Sequence, residues 1–177
     1  MTTSASVPDN GGDHSGGGGS GGGYVDGVFS TYLYEGTGAS QTIVNGIDLA
    51  GEGGMVWQKK RSGGQDHYLH DTEQGTNKRI LPNSTSAQQT LGTDSFNENG
   101  FTFQSDYGYN DPGADFVTWT FRKAKNFFDV VTYTGNGVAG REIPHNLGVE
   151  PGMIIVKNIT LGGADWRVYH RSLGATK

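Results

Sequence analysis

The chain has 177 residues, of which 31 are glycine and none is cysteine, and its formal net charge is −5. This length suits one domain, or one domain and part of another. The lack of cysteine excludes disulfides and thiolate–metal sites, the scattered basic residues argue against nucleic acid as a partner, and no apolar run is long enough for a transmembrane helix.

Residues 1–23 include "SVPDNGGDHSGGGGSGGG". A segment so poor in apolar side chains cannot offset the entropy of its own ordering. It reads as a Gly/Ser-rich arm, either flexible or threaded along a neighbouring subunit that orders it. It lacks the charged and apolar regions of a secretory signal. Beyond it, short runs rich in β-branched and aromatic residues alternate with Gly/Asn/Asp clusters, the pattern of an all-β protein. The runs predict strands near Val28–Tyr34, Gln41–Val44, Met55–Lys59, His67–Asp71, Gly100–Gln104, Phe116–Arg122, Phe127–Tyr133, Met153–Asn158 and Trp166–His170. In "FVTWTFR", Val117, Trp119 and Phe121 share one face, which is expected to be core. "MIIVKN" is continuously apolar, as in a strand covered on both faces. The polar stretch Asn83–Thr90 reads as a loop or one helical turn.

The chain also repeats itself. "VFSTYLYEGTG" aligns with "FFDVVTYTGNG", "LAGEGGMVWQK" with "LGVEPGMIIVK", and "GGQDHYLHDTEQGTNK" with "GGADWRVYHRSLGATK", at an offset of 98 or 99 residues. Phe29 pairs with Phe128, Tyr34 with Tyr133, Gly54 with Gly152, Met55 with Met153 and Asp66 with Asp165. Turn chemistry explains the recurring glycines. It does not explain the ordered recurrence of Tyr, Leu, Glu, Met, Lys and Asp. The expected organisation is therefore an arm over 1–23, a complete repeat over 24–126 and the first half of a second repeat over 127–177. The repeat length suits an antiparallel β-sandwich, jelly-roll-like. Lys177 aligns with Lys78, mid-repeat. "ADWRVYHRSLGATK" is thus expected to mark the limit of an ordered region, or a place where a neighbouring chain supplies the missing half.

The set "VWQKKRSG", "WTFRKAKNFFDVVTYTG" and "VYHRSLG", spread over Tyr24–Lys177, resembles an uncharacterised repeated β domain of large virion proteins of tailed, mostly marine, phages. The resemblance implies a structural role in a virion, of the tail-fibre or appendage type, and brings no catalytic residues with it. The role it implies is that of an N-terminal anchoring region that attaches to the tail and carries host-recognition repeats outward. Its implied location is the phage tail, after synthesis in the bacterial cytoplasm. The implied partners are other virion proteins (tail adaptor, tube or nozzle) and further copies of the chain, as a homotrimer or higher symmetry. A capsid decoration or head-fibre protein and a glycan-binding adsorption module are the alternatives.

Candidate sites are few. His67 and His70 in "HYLHD" stand three apart on a strand and so face opposite sides, which does not suit a metal even with Asp71 beside them. "DYGYNDPGAD" gathers Asp106, Asn110, Asp111 and Asp115, oxygen ligands of the kind calcium takes. Asn-Asp-Pro-Gly is, however, a turn signal in its own right. Tyr107 and Tyr109 are the candidate platforms for a host surface glycan, because aromatic faces suit sugar rings. Trp57 and Trp166 fall in predicted strands, where burial is expected. Arg122, Lys123 and Lys125 lie at the repeat junction, either as a solvated turn or as a basic patch for an acidic neighbour in an assembly. No carboxylate pair, nucleophile motif or phosphate loop appears. The expectation is a non-enzyme with no metal and no cofactor.

Overall fold

The computed structural model of the chain describes residues 25–105 and 107–174, apart from the side chains of Asp94 and Tyr107. The expected arm over 1–23 and the aligned Lys177 lie outside the described residues. The fold is all-β and antiparallel. The strands are β1 (Phe29–Glu35), β2 (Gln41–Val44), β3 (Gly54–Lys60), β4 (His67–Asp71), β5 (Thr93–Asn97), β6 (Gly100–Phe103), β7 (Asp115–Arg122), β8 (Met153–Val156) and β9 (Arg167–His170). A four-residue helix, α1 (Tyr107–Asn110), precedes β7.

The first seven strands form two sheets, in the orders β1-β7-β3-β4 and β2-β6-β5. One buried cluster draws Tyr34, Val56, Tyr68 and Phe116 from the first sheet and Ile43, Phe101 and Phe103 from the second. Ile47, Leu49 and Tyr109 fill in from loops and α1. The arrangement is sandwich-like, and its core is rich in aromatic rings. Tyr34 stacks on Phe116 at 5.1 Å, and Phe103 lies 5.0 Å from Tyr109. Each such ring removed from water contributes about 1.5–3 kcal/mol.

The last strand of the repeat holds the first sheet together. β7 lies between β1 and β3, with Thr31 and Trp57 on either side of Trp119. Glycine allows the closest approach: a Cβ on Gly54, whose φ is 157°, would collide with the Phe121 carbonyl oxygen.

Val117 is buried as expected, but the face of β7 that joins the main core cluster is the opposite one. Phe116, Thr118 and Thr120 face inward and are fully buried, whereas Trp119 and Phe121 are only half-buried. On the inner face Thr120 has a side-chain partner, whereas among the described residues the buried Thr118 Oγ1 has none. Asn45 Nδ2 donates to Thr120 Oγ1 at 2.8 Å, and Gln58, opposite Thr118, donates to the Tyr34 hydroxyl at 3.4 Å. The outer aromatics cover one another instead. Trp57 meets Trp119 edge-on at 5.9 Å, and Phe121 lies 4.9 Å from Phe29 and 5.3 Å from Phe128.

β5 was not among the predicted strands. Thr93 pairs with Phe103 and Asn97 with Gly100, across a turn at residues 98–99. The Asn99-Gly100 dipeptide is a hairpin signal that could have pointed to it. The stretch Asn83–Thr90 is a loop, tied to the strand edge by the Arg79–Gln89 bridge.

The second half-repeat is different. Phe127–Tyr133 does not form the predicted strand; its one ladder contact is an isolated bridge from Phe128 to Ala124. Among the described residues β8 and β9 pair only with each other. All four residues of Met153–Val156 are exposed, so "MIIV" is not covered on both faces as expected. The reason lies in the pairing of the first repeat. β1 pairs with β7 and β2 with β6, and both partners come from the second half of the repeat. β3 and β4 belong to the first half and can pair with each other. Only that hairpin recurs.

Candidate assembly interface

The two hairpins have matching register, residue by residue. In the first, Met55, Val56, Trp57 and Gln58 stand opposite Asp71, His70, Leu69 and Tyr68. In the second, Met153, Ile154, Ile155 and Val156 stand opposite His170, Tyr169, Val168 and Arg167. The sequence alignment converts each pair into the other without a shift. A one-residue slip would move every side chain to the opposite face, so shared register means shared faces.

Their surroundings are not shared. Val56 and His70 are fully buried and Tyr68 nearly so. Their counterparts Ile154 and Arg167 are exposed, and Tyr169 is half-buried. Val131, Tyr133, Val138, Val149, Leu161 and Val168 add to the exposed apolar surface of this half-repeat. A lone two-stranded hairpin is marginally stable in water. This one is held against the first repeat at its turn. Trp166 Nε1 donates to the carbonyls of Leu81 and Ser84 at 3.2 and 3.0 Å. Gln88 N donates to Ile159 O, and Gly163 N to Thr85 O, both at 2.9 Å. Lys157 Nζ reaches Thr85 O at 3.1 Å. The polar loop Asn83–Thr90 is therefore the seat of the second half-repeat. Trp166 is half-buried in that contact, and Trp57 half-buried on the outer face of the first sheet.

The candidate sites sort against this frame. Tyr109 cannot serve as a sugar platform. It is wholly buried, and its hydroxyl donates to Gly92 O at 3.1 Å. The short α1 turns its ring into the core, where Tyr68 and His70 meet it edge-on. The side chain of Tyr107 lies outside the described residues. His67 and His70 diverge as expected. His67 accepts from Trp57 Nε1 at 3.0 Å on the outer face. His70 is buried, with Nδ1 at 3.2 Å from Lys78 O, and burial holds its pKa down at about 4. Asp71 is buried too, and burial pushes its carboxyl upward although Gln74 N donates to it at 2.9 Å.

Asp106 lies outside the described residues. Its companions have structural partners: Lys60 Nζ meets Asp111 Oδ2 at 2.6 Å, and Thr37 N donates to Asn110 Oδ1 at 2.8 Å. Asp115 ends the β1–β7 ladder opposite Glu35. Among the described residues no group of three or more His, Cys, Asp or Glu could hold a metal ion.

The junction residues Arg122, Lys123 and Lys125 do not form one basic patch. Lys123 is committed within the molecule, 2.6 Å from Glu73 and 3.4 Å from Asp129. The Glu73 contact raises its pKa. It fastens the β4 side of the first repeat to the start of the second. Arg122 is half-buried at the end of β7, and Lys125 is exposed. Among the described residues no helix is long and apolar enough to cross a membrane.

No curated protein and no solved structure matches the chain. One family matches residues 26–177, running through both the complete repeat and the half-repeat. The chain belongs to that family, which is described as a domain of unknown function, DUF7483.

Proposed function

We propose that the chain is a structural assembly module of a tailed-phage virion, from the anchoring region of a tail fibre or similar appendage. The observation that supports this is the contrast between a closed β-sandwich repeat and a second hairpin of identical register whose apolar faces lie open. Exposed apolar surface of this kind marks an interaction site. Repeats that stack on their neighbours build extended, quasi-one-dimensional bodies. The burial of Tyr109 counts against glycan capture at that ring, and the internal pairing of Lys123 moves the candidate assembly surface from the basic junction to the exposed apolar hairpin. The assignment to phage tails rests on resemblance of sequence, an associational ground.

The test is immunogold labelling of intact particles with antibody raised against the purified chain, alongside light scattering on the chain itself. Label at the tail, with a homotrimer or higher symmetry in solution, is the expected result. Label spread over the capsid would favour a decoration or head-fibre protein. Particles with no label would sink the virion reading altogether.

A further inference from the structure

The β8 edge has a specific shape that the first repeat explains. β3 is paired on both sides, by β4 and by β7. β8, its counterpart, is paired by β9 alone, and among the described residues no strand meets its other edge. Natural edge strands are usually protected by lysine, proline or a bulge. Met153–Val156 carries none of these and pairs with β9 in unbroken register. Gly152 stands where Gly54 stands in the first repeat. At Gly54 a Cβ would strike the backbone of β7, whereas at Gly152 it would meet only the Arg171 side chain. The second copy thus keeps the glycine that a close strand requires, with no strand beside it. Residues 130–133, the counterparts of Thr31–Tyr34 in β1, form no strand. In the first repeat β1 has β7 as its partner strand.

We propose that the β8 edge and residues 130–133 form an acceptor slot for one strand of the β7 type, brought by a polypeptide that carries the second half of the repeat. The donor strand runs antiparallel to both sides, as β7 does between β1 and β3. Its register follows from the first repeat. There Phe121 faces Met55, Thr120 faces Val56 and Trp119 faces Trp57. The corresponding donor positions therefore face Met153, Ile154 and Ile155. On the other side, Phe116 faces Tyr34 in the first repeat, so its donor equivalent faces Tyr133. The first repeat of another copy is not the donor, because its β7 is already held on both edges. This is strand addition, with main-chain hydrogen bonds for affinity and alternate side chains for selection. The slot follows from the repeat itself and stands independently of the virion assignment.

The chain has no cysteine, so I155C places a unique thiol on the exposed β8 strand. The probe is a synthetic peptide with the sequence of residues 113–124 and cysteine in place of Trp119. Facing residues in antiparallel strands lie within disulfide reach. The full-length I155C chain and the peptide are oxidised together and the products weighed by mass spectrometry. The expected result is a mixed disulfide, roughly tenfold more abundant than with a peptide carrying cysteine at the Thr118 position, whose side chain points to the other face. A second measurement uses the unmodified chain and peptide. Amide exchange should slow at Met153–Val156 and at residues 130–133 when peptide is added, by roughly tenfold or more. Equal adducts with both peptides, or unchanged exchange at β8, would overturn the slot. A disulfide between two I155C chains as the main product would also overturn it, in favour of edge-to-edge pairing of copies.

Discussion

The two hairpins, β3–β4 and β8–β9, carry the same register on two versions of one sequence pattern. One is the interior of a sandwich, and the other is a two-stranded ribbon with apolar residues in water. Hairpin formation needs only neighbours in the chain, because the connections over residues 61–66 and 157–166 bring the partners together. Burial needs β7, β5 and β6, which arrive later in the repeat. The comparison separates what local pairing supplies from what sheet completion supplies.

The largest effect should come from deleting a ring at the closed core and comparing it with the open hairpin. Phe101 is wholly buried, and F101A should cost about 3–5 kcal/mol in urea unfolding. Ile155 is exposed, and I155A should change stability by less than about 0.5 kcal/mol. A large cost at Ile155 would mean that the hairpin is already covered in solution.

Next comes pH. His70 is neutral and buried, and its folded pKa lies near 4 against an ordinary value of 6.5. Between those values the unfolded chain binds more protons than the folded one. Stability should therefore fall as pH drops from about 6.5 towards 4, by up to roughly 3 kcal/mol. Asp71, whose pKa is raised by burial, acts in the opposite sense at the acid end. H70Q should flatten the His70 contribution. The counterpart of His70 is Tyr169, so this sensitivity belongs to the first repeat alone. Urea midpoints at several pH values would check it, and an unchanged slope in H70Q would refute it.

A smaller loss than those at Phe101 and His70 is expected at the seat between the two regions. W166F keeps a ring but removes the N–H that reaches Leu81 and Ser84. The expected loss is about 1 kcal/mol, the net worth of a hydrogen bond. Faster amide exchange at Gln88 and Gly163, without change in the β7 ladder, would locate the loss at the docking contact. Faster exchange throughout β7 would show instead that the two regions unfold together.

Much of the fold was legible in the sequence because it rests on local pattern. β-branched runs between turn residues marked most strands, and the 98–99 offset marked the second copy. β5 is not legible because "TDSFN" is short and polar, without the β-branched and apolar alternation that marks the other strands. The candidate site was less legible. Tyr107 and Tyr109 looked alike in a polar loop, yet one turn of helix directs Tyr109 into the core. Lys123 looked like part of a basic patch until Glu73, fifty residues earlier, was found beside it.

By itself the sequence determined the all-β class and most of the strand positions, because these follow from alternation, turn chemistry and neighbours along the chain. Only the tertiary structure decided which face of β7 is core. Alternation marks two faces, but burial depends on what packs against each. Here the second sheet covers the threonine face, and the aromatic face is left to cover itself. The tertiary structure also decided that "MIIV" lies open. Its apolar residues suit a covered strand, but among the described residues only β9 pairs with it.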